Sequence, residues 1–345
     1  MPKSKGKRSR YISYLLRFAV AGAALYLAFK GESIKQVSEV LLGLQLWIFI
    51  AALGIYIISQ LIFVFRWFLL LRAQAINIGF CTALKLHFLG LFYNNCLPGS
   101  VGGDFIRAWY VTKHTNKKLQ AALSVFVDRL VGLIGIIIMA ACSYWFIPAG
   151  SGNQQFESRY VEFNFLQRVG EYKWIFAGIG IAISIITTVF IATIEGRAVL
   201  HRYLKFTYQK GLVAMVKIHD AIRIYYDKKL ILAAALLLTF FCQGLFIFGM
   251  VLIGYGIGIN APIKYYFIFF PVSWLLGTLP ISVGGAGIME WWLKVMFMRV
   301  CAVSSEHALA LALCQRLIWL FGSLPGAAIH MIGAHLPRDF FVDGK

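Results

Sequence analysis

Two short stretches of the chain are similar to each other, and they decide the fold. Residues 97–109 read LPGSVGGDFIRAW and residues 279–291 read LPISVGGAGIMEW, so that eight of thirteen positions agree. Asp128-Arg129-Leu130 after the first stretch and Gln315-Arg316-Leu317 after the second extend the match weakly, because their spacing differs by five residues. A proline followed by paired glycines ends one helix and turns the chain sharply before the next. The sequence therefore predicts an internal repeat of two broken helical hairpins.

The composition of the whole chain indicates a membrane protein. The 345 residues are 60% hydrophobic and 14% charged, whereas an ordinary soluble domain has about 25% charged residues. A soluble protein of this size could not bury so much apolar surface. The formal net charge of +19 accompanies apolar segments, which favours anionic lipid headgroups over nucleic acid as the partner. Neither cysteines nor histidines have metal-ligand spacing, so we expect no metal and no cofactor.

Apolar stretches long enough to cross the hydrocarbon core, about 20 residues, predict six transmembrane helices. They cover residues 11–29, 41–71, 121–147, 174–194, 231–258 and 306–333. Residues 80–115 and 265–300 contain the glycine motifs and are predicted to be re-entrant. The predicted fold is an all-α polytopic membrane protein, a single integral membrane domain over residues 1–345 with about six full spans and two re-entrant broken hairpins.

The distribution of lysine and arginine predicts the orientation in the membrane. Five basic residues precede the first span and eight lie in the loop 195–229, whereas the loop 148–173 has equal numbers of basic and acidic residues. Both termini and the basic loop 195–229 are therefore expected in the cytoplasm. The first hairpin then enters from the cytoplasmic side and the second from outside. This arrangement makes residues 41–147 and 231–333, approximately, an inverted-topology repeat.

Charged side chains at membrane depth are candidates for substrate binding, because such charges are costly unless they are paired or wetted. The candidates lie within the predicted spans or directly after the motifs: Asp104, Arg107, Asp128, Arg129, Glu290 and Arg316. The arginines would neutralise a headgroup phosphate. Asp104 and Glu290 would pair with them in the empty site or bind a cationic headgroup. Asp128 either lines the cavity or holds one arginine in place.

The position of Asp104 three residues before Arg107 puts both on one face of a helix. They form either a pair at the cytoplasmic interface or a pair that faces the cavity, with Arg107 on the phosphate. Lys85, His87 and Lys294 are interpreted as snorkelling residues near the interfaces. The motif backbone that would frame the site consists of Pro98, Gly102, Gly103, Pro280, Gly284, Gly285 and Gly287. The helix N-termini that follow these glycines suit a phosphate.

The two motifs, LPGSVGGDFIR at 97–107 and LPISVGGAGIME at 279–290, together with Asp128-Arg129-Leu130, resemble the lysylphosphatidylglycerol synthase transmembrane-region family, also called flippase-like or UPF0104. The resemblance covers about residues 10–335. It implies re-entrant segments around a lipid cavity and the movement of a phospholipid or related amphiphile between leaflets. Because only about a dozen residues follow the last span, we expect no lipid-aminoacylating domain here and no enzymatic activity.

The sequence therefore predicts a flippase or translocase that moves a phospholipid or another anionic amphiphile through a charged cavity. Two alternatives stay open. One is an intramembrane transferase that acts on lipid-linked substrates. The other is a non-transporting scaffold for a separate lipid-modifying synthase, which would dock on the basic loop 195–229. The expected location is a bacterial inner or plasma membrane.

Overall fold

A computed structural model describes residues 33–96, 102–146, 228–278 and 284–333, together with residues 22, 25, 26, 28 and 29. In the four longer ranges the chain forms nine helices and no strand. Five precede the gap at residues 147–227: α1 Ile34–Gly43, α2 Leu46–Ala73, α3 Phe80–Cys96, α4 Gly102–Val111 and α5 Lys118–Phe146. Four follow it: α6 Lys229–Gly256, α7 Ile263–Gly277, α8 Ile288–Cys301 and α9 Ser305–Met331. The prediction of an all-α polytopic protein is confirmed for the described part of the chain.

Four helices, α2, α5, α6 and α9, have the length and apolar composition of a membrane span. The 28 residues of α2 extend about 42 Å at 1.5 Å per residue, which exceeds a hydrocarbon core of about 30 Å. These four helices correspond to four of the six predicted spans. The other two, at 11–29 and 174–194, lie outside the described residues apart from a few positions between 22 and 29. The loop 148–173 and residues 195–227 of the basic loop also lie outside them.

The predicted start of the second span is wrong. Leu44 and Gln45 are extended, with ψ angles of 122° and 126°, and they separate α1 from α2. Helix α1 packs against α9, and its buried Val37 contacts the apolar cluster that includes Leu309. The opposite face of α1 carries an exposed Lys35–Glu39 pair. Because α1 is amphipathic, it does not continue the uniformly apolar helix that follows.

Four shorter helices form two hairpins, since α3 packs along α4 and α7 along α8. They contain 17, 10, 15 and 14 residues and extend roughly 15 to 26 Å, less than the hydrocarbon core. The turns at 97–101 and 279–283, with Pro98 and Pro280, lie outside the described residues. In the first hairpin the two backbones touch, because a Cβ atom on Gly103 would collide with the Gly90 carbonyl oxygen.

The helices α2, α3, α4 and α5 correspond in order to α6, α7, α8 and α9, and each contact between two helices of one half has a counterpart in the other half. Within each half the contacts are α2–α3, α3–α4, α4–α5 and α2–α5, matched by α6–α7, α7–α8, α8–α9 and α6–α9. Between the halves, α3 packs on α9 and α7 packs on α5, while α2 packs on α6. The first helix of each hairpin therefore packs against the last long helix of the other half.

We predict that the substitution Gly326→Ala weakens the contact between α3 and α9. A Cβ atom at this position would collide with the backbone carbonyl of Phe88, and such overpacking costs about 1–3 kcal/mol. The control is Gly54→Ala, since Gly54 is also in a long helix but has no atom within 4 Å of the new Cβ. Alanine there is expected to raise stability by up to about 1 kcal/mol. Unfolding titrations in mixed micelles measure both; equal stability of the two variants would contradict this packing.

Candidate functional site

The helices α2–α9 line a cavity of about 320 Å³, to which every one of them contributes residues. The charged residues and the histidine of its wall come from the first half of the described chain: Arg66, His87, Asp104, Arg107, Asp128 and Arg129. The second half contributes mainly aromatic, amide and glycine residues: Gln243, Phe246, Trp274, Gly277, Gly284 and Trp319. The cavity wall is therefore partly polar and partly apolar, and all of its charged residues belong to the first half.

Asp128, in the middle of α5, joins two arginines from different helices. Its Oδ1 accepts a hydrogen bond of 2.9 Å from Arg66 Nε, and its Oδ2 accepts one of 2.6 Å from Arg107 Nη2. All three side chains are at most 7% exposed. Arg66 also donates to Thr239 Oγ1 and to the Asp128 carbonyl. Arg107 in addition stacks over the Trp67 ring at 4.4 Å. The single carboxylate of Asp128 therefore pairs with two buried guanidinium groups, which the apolar surroundings could not hold unpaired.

His87 continues this cluster toward α2. Arg107 Nη1 lies 3.2 Å from His87 Nδ1, and Gln60 Oε1 lies 2.9 Å from His87 Nε2. A guanidinium only donates hydrogen bonds and an amide oxygen only accepts them. His87 therefore satisfies both neighbours as the neutral ring with its proton on Nε2.

Asp104, in the first turn of α4, binds Arg129 Nη1 of α5. This pair is more open than the Asp128 cluster, because the side chains of Arg129 and Asp104 are 35% and 18% exposed. The start of α4 is fixed on its other side by Asn94, whose Oδ1 accepts a hydrogen bond of 2.8 Å from the backbone N–H of Gly103. The pair therefore links the first turn of a short helix to the neighbouring long helix.

A similar link occurs in the second half. Arg316 Nε of α9 donates a hydrogen bond of 2.6 Å to Glu290 Oε1, in the first turn of α8. Glu290 Oε2 accepts a second one, of 2.7 Å, from the N–H of Gly287. Arg316 Nη1 reaches the carbonyl oxygen of Gly284 at 3.0 Å. Gly284, Gly285 and Gly287 have φ angles of 55°, 73° and 82°, a conformation that favours glycine. In both halves an arginine of the last long helix thus holds the helix that follows the paired glycines.

The residue before each of these arginines differs between the halves. Asp128 precedes Arg129 and binds two arginines, whereas Gln315 precedes Arg316 and accepts a hydrogen bond of 3.3 Å from Trp274 Nε1. Trp274 stacks on Phe246 with ring centroids 5.3 Å apart. The second half therefore has an aromatic contact where the first half has the ion cluster.

A further similarity between the halves follows from the cavity lining. Gln60 and Phe63 of α2 line it, and so do Gln243 and Phe246 of α6. Each pair has the spacing Gln-x-x-Phe, and a second phenylalanine follows two positions later in both helices. Sequence reasoning missed this match because apolar helices resemble one another by composition. The signal was a glutamine at the same position of two otherwise apolar spans.

All six candidate residues form ion pairs in the structure. Four of them belong to the first half, Asp104, Arg107, Asp128 and Arg129, and Glu290 and Arg316 pair in the second half. The prediction that Asp104 pairs with Arg107 is wrong: Asp104 binds Arg129, and Arg107 binds Asp128. Spacing along a helix did not decide the pairing, because the crossing helix α5 offers both groups a better partner.

Three other positions are not where the sequence analysis placed them or were not singled out by it. Arg66 is a site residue that the sequence analysis missed; it is 4% exposed and part of the Asp128 cluster. Its place inside the predicted span 41–71 was the available signal. His87 and Lys294 were expected to snorkel, but both are buried, and Lys294 Nζ donates to the carbonyl oxygen of Ala28.

Comparison with known proteins gives consistent results. The family model described as "Lysylphosphatidylglycerol synthase TM region" matches residues 14–326. A UPF0104 membrane protein of Methanothermobacter thermautotrophicus is 21% identical over 295 residues, which cover 79% of this chain and 82% of that protein. Another, from Pyrococcus horikoshii, is 24% identical over 114 residues, 32% of this chain and 34% of that protein. This second match spans about a third of the relative. The family resemblance predicted from the motifs is confirmed.

We predict that Asp128→Asn is far more destabilising than Asp104→Asn. The first substitution leaves two buried arginines without a carboxylate and should lower the free energy of unfolding by about 3–5 kcal/mol. The second removes the partner of one half-exposed arginine and should cost less than about 1 kcal/mol. Unfolding titrations of the two variants in the same micelles provide the comparison. Similar losses in both would mean that Asp128 is not the centre of the cluster.

Proposed function

Because the chain belongs to the family of the lysylphosphatidylglycerol synthase transmembrane region, we propose that it moves a phospholipid or another anionic amphiphile between the leaflets of its membrane. The observation that carries the proposal is the cavity between the two hairpins, whose wall contains three arginines and two carboxylates. A headgroup phosphate would supply the missing negative charge. The acyl chains would stay in the bilayer while the headgroup passes through the cavity.

The same proposal includes the inverted-topology repeat. The hairpins α3–α4 and α7–α8 would be re-entrant, each dipping into the membrane from one side. Two observations support this: their helices are shorter than the hydrocarbon core, and the helix contacts of the halves come in matching pairs. In such a repeat the two broken hairpins meet near the midplane and form a site that opens to one side at a time.

The proposed orientation has the C-terminal end of α2 in the cytoplasm. Basic side chains gather at this end, where Lys228 Nζ donates to the carbonyl of Ala73 at 2.8 Å and Lys117 Nζ to that of Ala75 at 3.2 Å. Arg72 lies in the same turn. The start of α6 and the connection from α4 to α5 therefore lie at one end of α2. An excess of lysine and arginine is typical of the cytoplasmic side.

Within the cavity we assign the headgroup contact to Arg129 rather than to Arg107. Arg107 and Arg66 are buried and held by Asp128, so releasing either would leave a charge unpaired in an apolar environment. Arg129 is the most exposed of the three cavity arginines, and its partner Asp104 is itself partly exposed. A phosphate could replace Asp104 on Arg129 without uncovering a buried charge.

This exchange of partners suggests how binding would be coupled to movement. The Arg129–Asp104 pair joins α5 to the first turn of α4, so a phosphate on Arg129 would loosen the first hairpin from its neighbouring helix. The Arg316–Glu290 pair holds α8 to α9 in the same way. Release of one link at a time would let the hairpins move separately, as alternating access requires.

We predict that the purified protein accelerates the movement of fluorescent anionic phospholipids across the bilayer of reconstituted vesicles. Chemical reduction of the fluorophores in the outer leaflet removes their fluorescence. The fraction of fluorescence that is lost therefore measures how much labelled lipid has reached that leaflet. Arg129→Gln should slow the movement by about 10-fold or more, because a charge-assisted hydrogen bond to phosphate contributes about 1.5–3 kcal/mol. Lys35→Gln is the matched control, since it removes a charge from the exposed pair on α1 and should leave the rate unchanged.

The same vesicles separate this function from its alternatives. Mass spectrometry should find the lipids chemically unchanged, whereas an altered headgroup would indicate a transferase. No acceleration over protein-free vesicles across a panel of anionic lipids, or the full rate in Arg129→Gln, would refute the proposed translocation. In that case a scaffold role would be the better account of the chain.

A further inference from the structure

The two hairpins touch at Gly284, in the turn before α8. A Cβ atom on this glycine would lie 3.0 Å from the backbone carbonyl oxygen of Asn94, in the last turn of α3. Because this distance is shorter than an ordinary contact of a Cβ atom, a glycine is needed for so close an approach. Both residues line the cavity, and their contact is therefore part of its wall.

The carbonyl oxygen of Asn94 cannot receive the hydrogen bond that is usual in a helix. In a longer helix this oxygen would accept a bond from the N–H four residues later. That residue is Pro98, which has no N–H to donate. When the contact with Gly284 opens, water can reach this oxygen and form a hydrogen bond with it. Opening the contact therefore does not leave a buried acceptor without a partner.

Helix α9 holds both sides of this contact. On one side Gly326 packs against α3 so closely that a Cβ atom on it would lie 2.0 Å from the carbonyl oxygen of Phe88. On the other side Arg316 Nη1 donates a hydrogen bond of 3.0 Å to the carbonyl oxygen of Gly284. The first attachment is a backbone packing, whereas the second depends on one side chain. The turn that contains Gly284 is therefore the side that can move.

The Arg316 side chain holds more of this turn than one carbonyl group. Its Nε donates to Glu290 Oε1 at 2.6 Å, and Glu290 Oε2 accepts a bond of 2.7 Å from the N–H of Gly287. The guanidinium thus binds both ends of the segment 284–290, which leads into α8. Arg316 itself is not among the described residues that line the cavity, so it acts on the cavity through this segment.

We propose that the contact between Gly284 and the carbonyl group of Asn94 is a gate in the cavity wall, closed in this structure and held closed by Arg316. When Arg316 releases Gly284, the turn moves away from α3 and the cavity opens on that side. This inference rests on the proposed translocation, to which it adds the step that exposes the cavity to the second side of the membrane. Arg316 is a positioning residue in this step.

The test measures how fast a cysteine in the cavity reacts with a membrane-impermeant maleimide. The reporter is Leu133→Cys, since Leu133 lines the cavity on α5. The exposed cysteines are replaced by serine, and the buried ones stay as sensors of unfolding: Cys81, Cys96 and Cys142 are exposed, and Cys242, Cys301 and Cys314 are buried. Right-side-out and inside-out membrane vesicles from expressing cells give the rate from each side. With Gly284 and Arg316 unchanged, we expect one side to react much more slowly.

The variants Gly284→Ala and Gly284→Leu should raise the slower rate by about threefold and about tenfold, because the added carbons push the turn away from Asn94. The faster rate should stay unchanged. Gly284 has a φ of 55°, and Ala75 and Ala302 both have a φ of 51°, so the alanine variant is expected to fold. Gly258→Ala and Gly258→Leu are the controls, since Gly258 also has a positive φ but no atom within 4 Å of a new Cβ. They should leave both rates unchanged.

The variant Arg316→Lys tests how the gate is held. Lysine keeps the positive charge for Glu290, but its compact ammonium lacks the fork by which arginine binds Glu290 and the Gly284 carbonyl together. The slower rate should rise by about tenfold. Combining Arg316→Lys with Gly284→Leu should give no further rise, because both changes open the same contact. Multiplied effects in the combined variant would overturn the assignment of Arg316 to this gate.

Equal and fast labelling from both sides in the protein that carries only the reporter would overturn the gate. An unchanged slower rate in Gly284→Ala and Gly284→Leu would also overturn it. Reaction of the buried cysteines in Gly284→Leu would mark that variant as unfolded, and Gly284→Ala then decides. Labelling needs no lipid movement, so the two proposals are tested separately. Unchanged labelling in variants that still move lipid refutes the gate alone, whereas a wild-type protein that moves no lipid refutes the translocation.

Discussion

An arginine taken out of water needs an anion beside it, and this need organises the polar interior of the protein. Arg66, Arg107, Arg129 and Arg316 each bind a carboxylate, and in every case that carboxylate belongs to another helix. The ion pairs therefore fix α2 and α4 against α5, and α8 against α9. In a lipid environment, apolar contacts alone do little to specify which helix faces pack together. The ion pairs specify these faces and so position the short helices around the cavity.

The two halves share a helical framework but not its polar content. Corresponding helices make corresponding contacts, and an arginine of the last long helix reaches the short helix in each half. Asp128, however, gathers two arginines, whereas Gln315 at the matching place binds a tryptophan. Buried charge is expensive, and the second half avoids the cost of a second ion cluster. As a result, the first half supplies the charged residues of the cavity wall, and the second half supplies mainly aromatic, amide and glycine residues.

The sequence predicted where the helices break better than it predicted which charged residues pair with each other. Pro-x-Ser-Val-Gly-Gly is a local signal, because proline and glycine act on the backbone where they stand. The helices α3, α4, α7 and α8 accordingly begin and end within a few residues of the predicted limits. The break before α2 was missed because no proline or glycine pair marks it, and it depends on the docking of α1 against α9. The inverted topology stays a prediction.

Partner choice depends on which helices cross, and this information is not local. Asp104 and Arg107 stand one turn apart, which predicts a pair along the helix, yet both bind residues of α5. Arg66 illustrates the same limit for burial. An arginine seven residues before the end of an apolar helix is equally compatible with an interface and with a buried cluster, and the decision comes from Asp128, 62 positions later.

Each buried arginine of the described residues already contacts a carboxylate, although Arg66 and Arg107 share one, and this limits how the proposed headgroup would bind. On Arg129 the proposed phosphate would replace Asp104, because leaving a guanidinium without a partner in an apolar environment costs much free energy. Replacement conserves the number of ion pairs, so the net gain on binding is small. The proposed translocation requires a small gain, since a tightly held headgroup would not leave on the other side. The Arg129–Asp104 pair is the most exposed of the ion pairs between short and long helices, so the proposed exchange would cost least there.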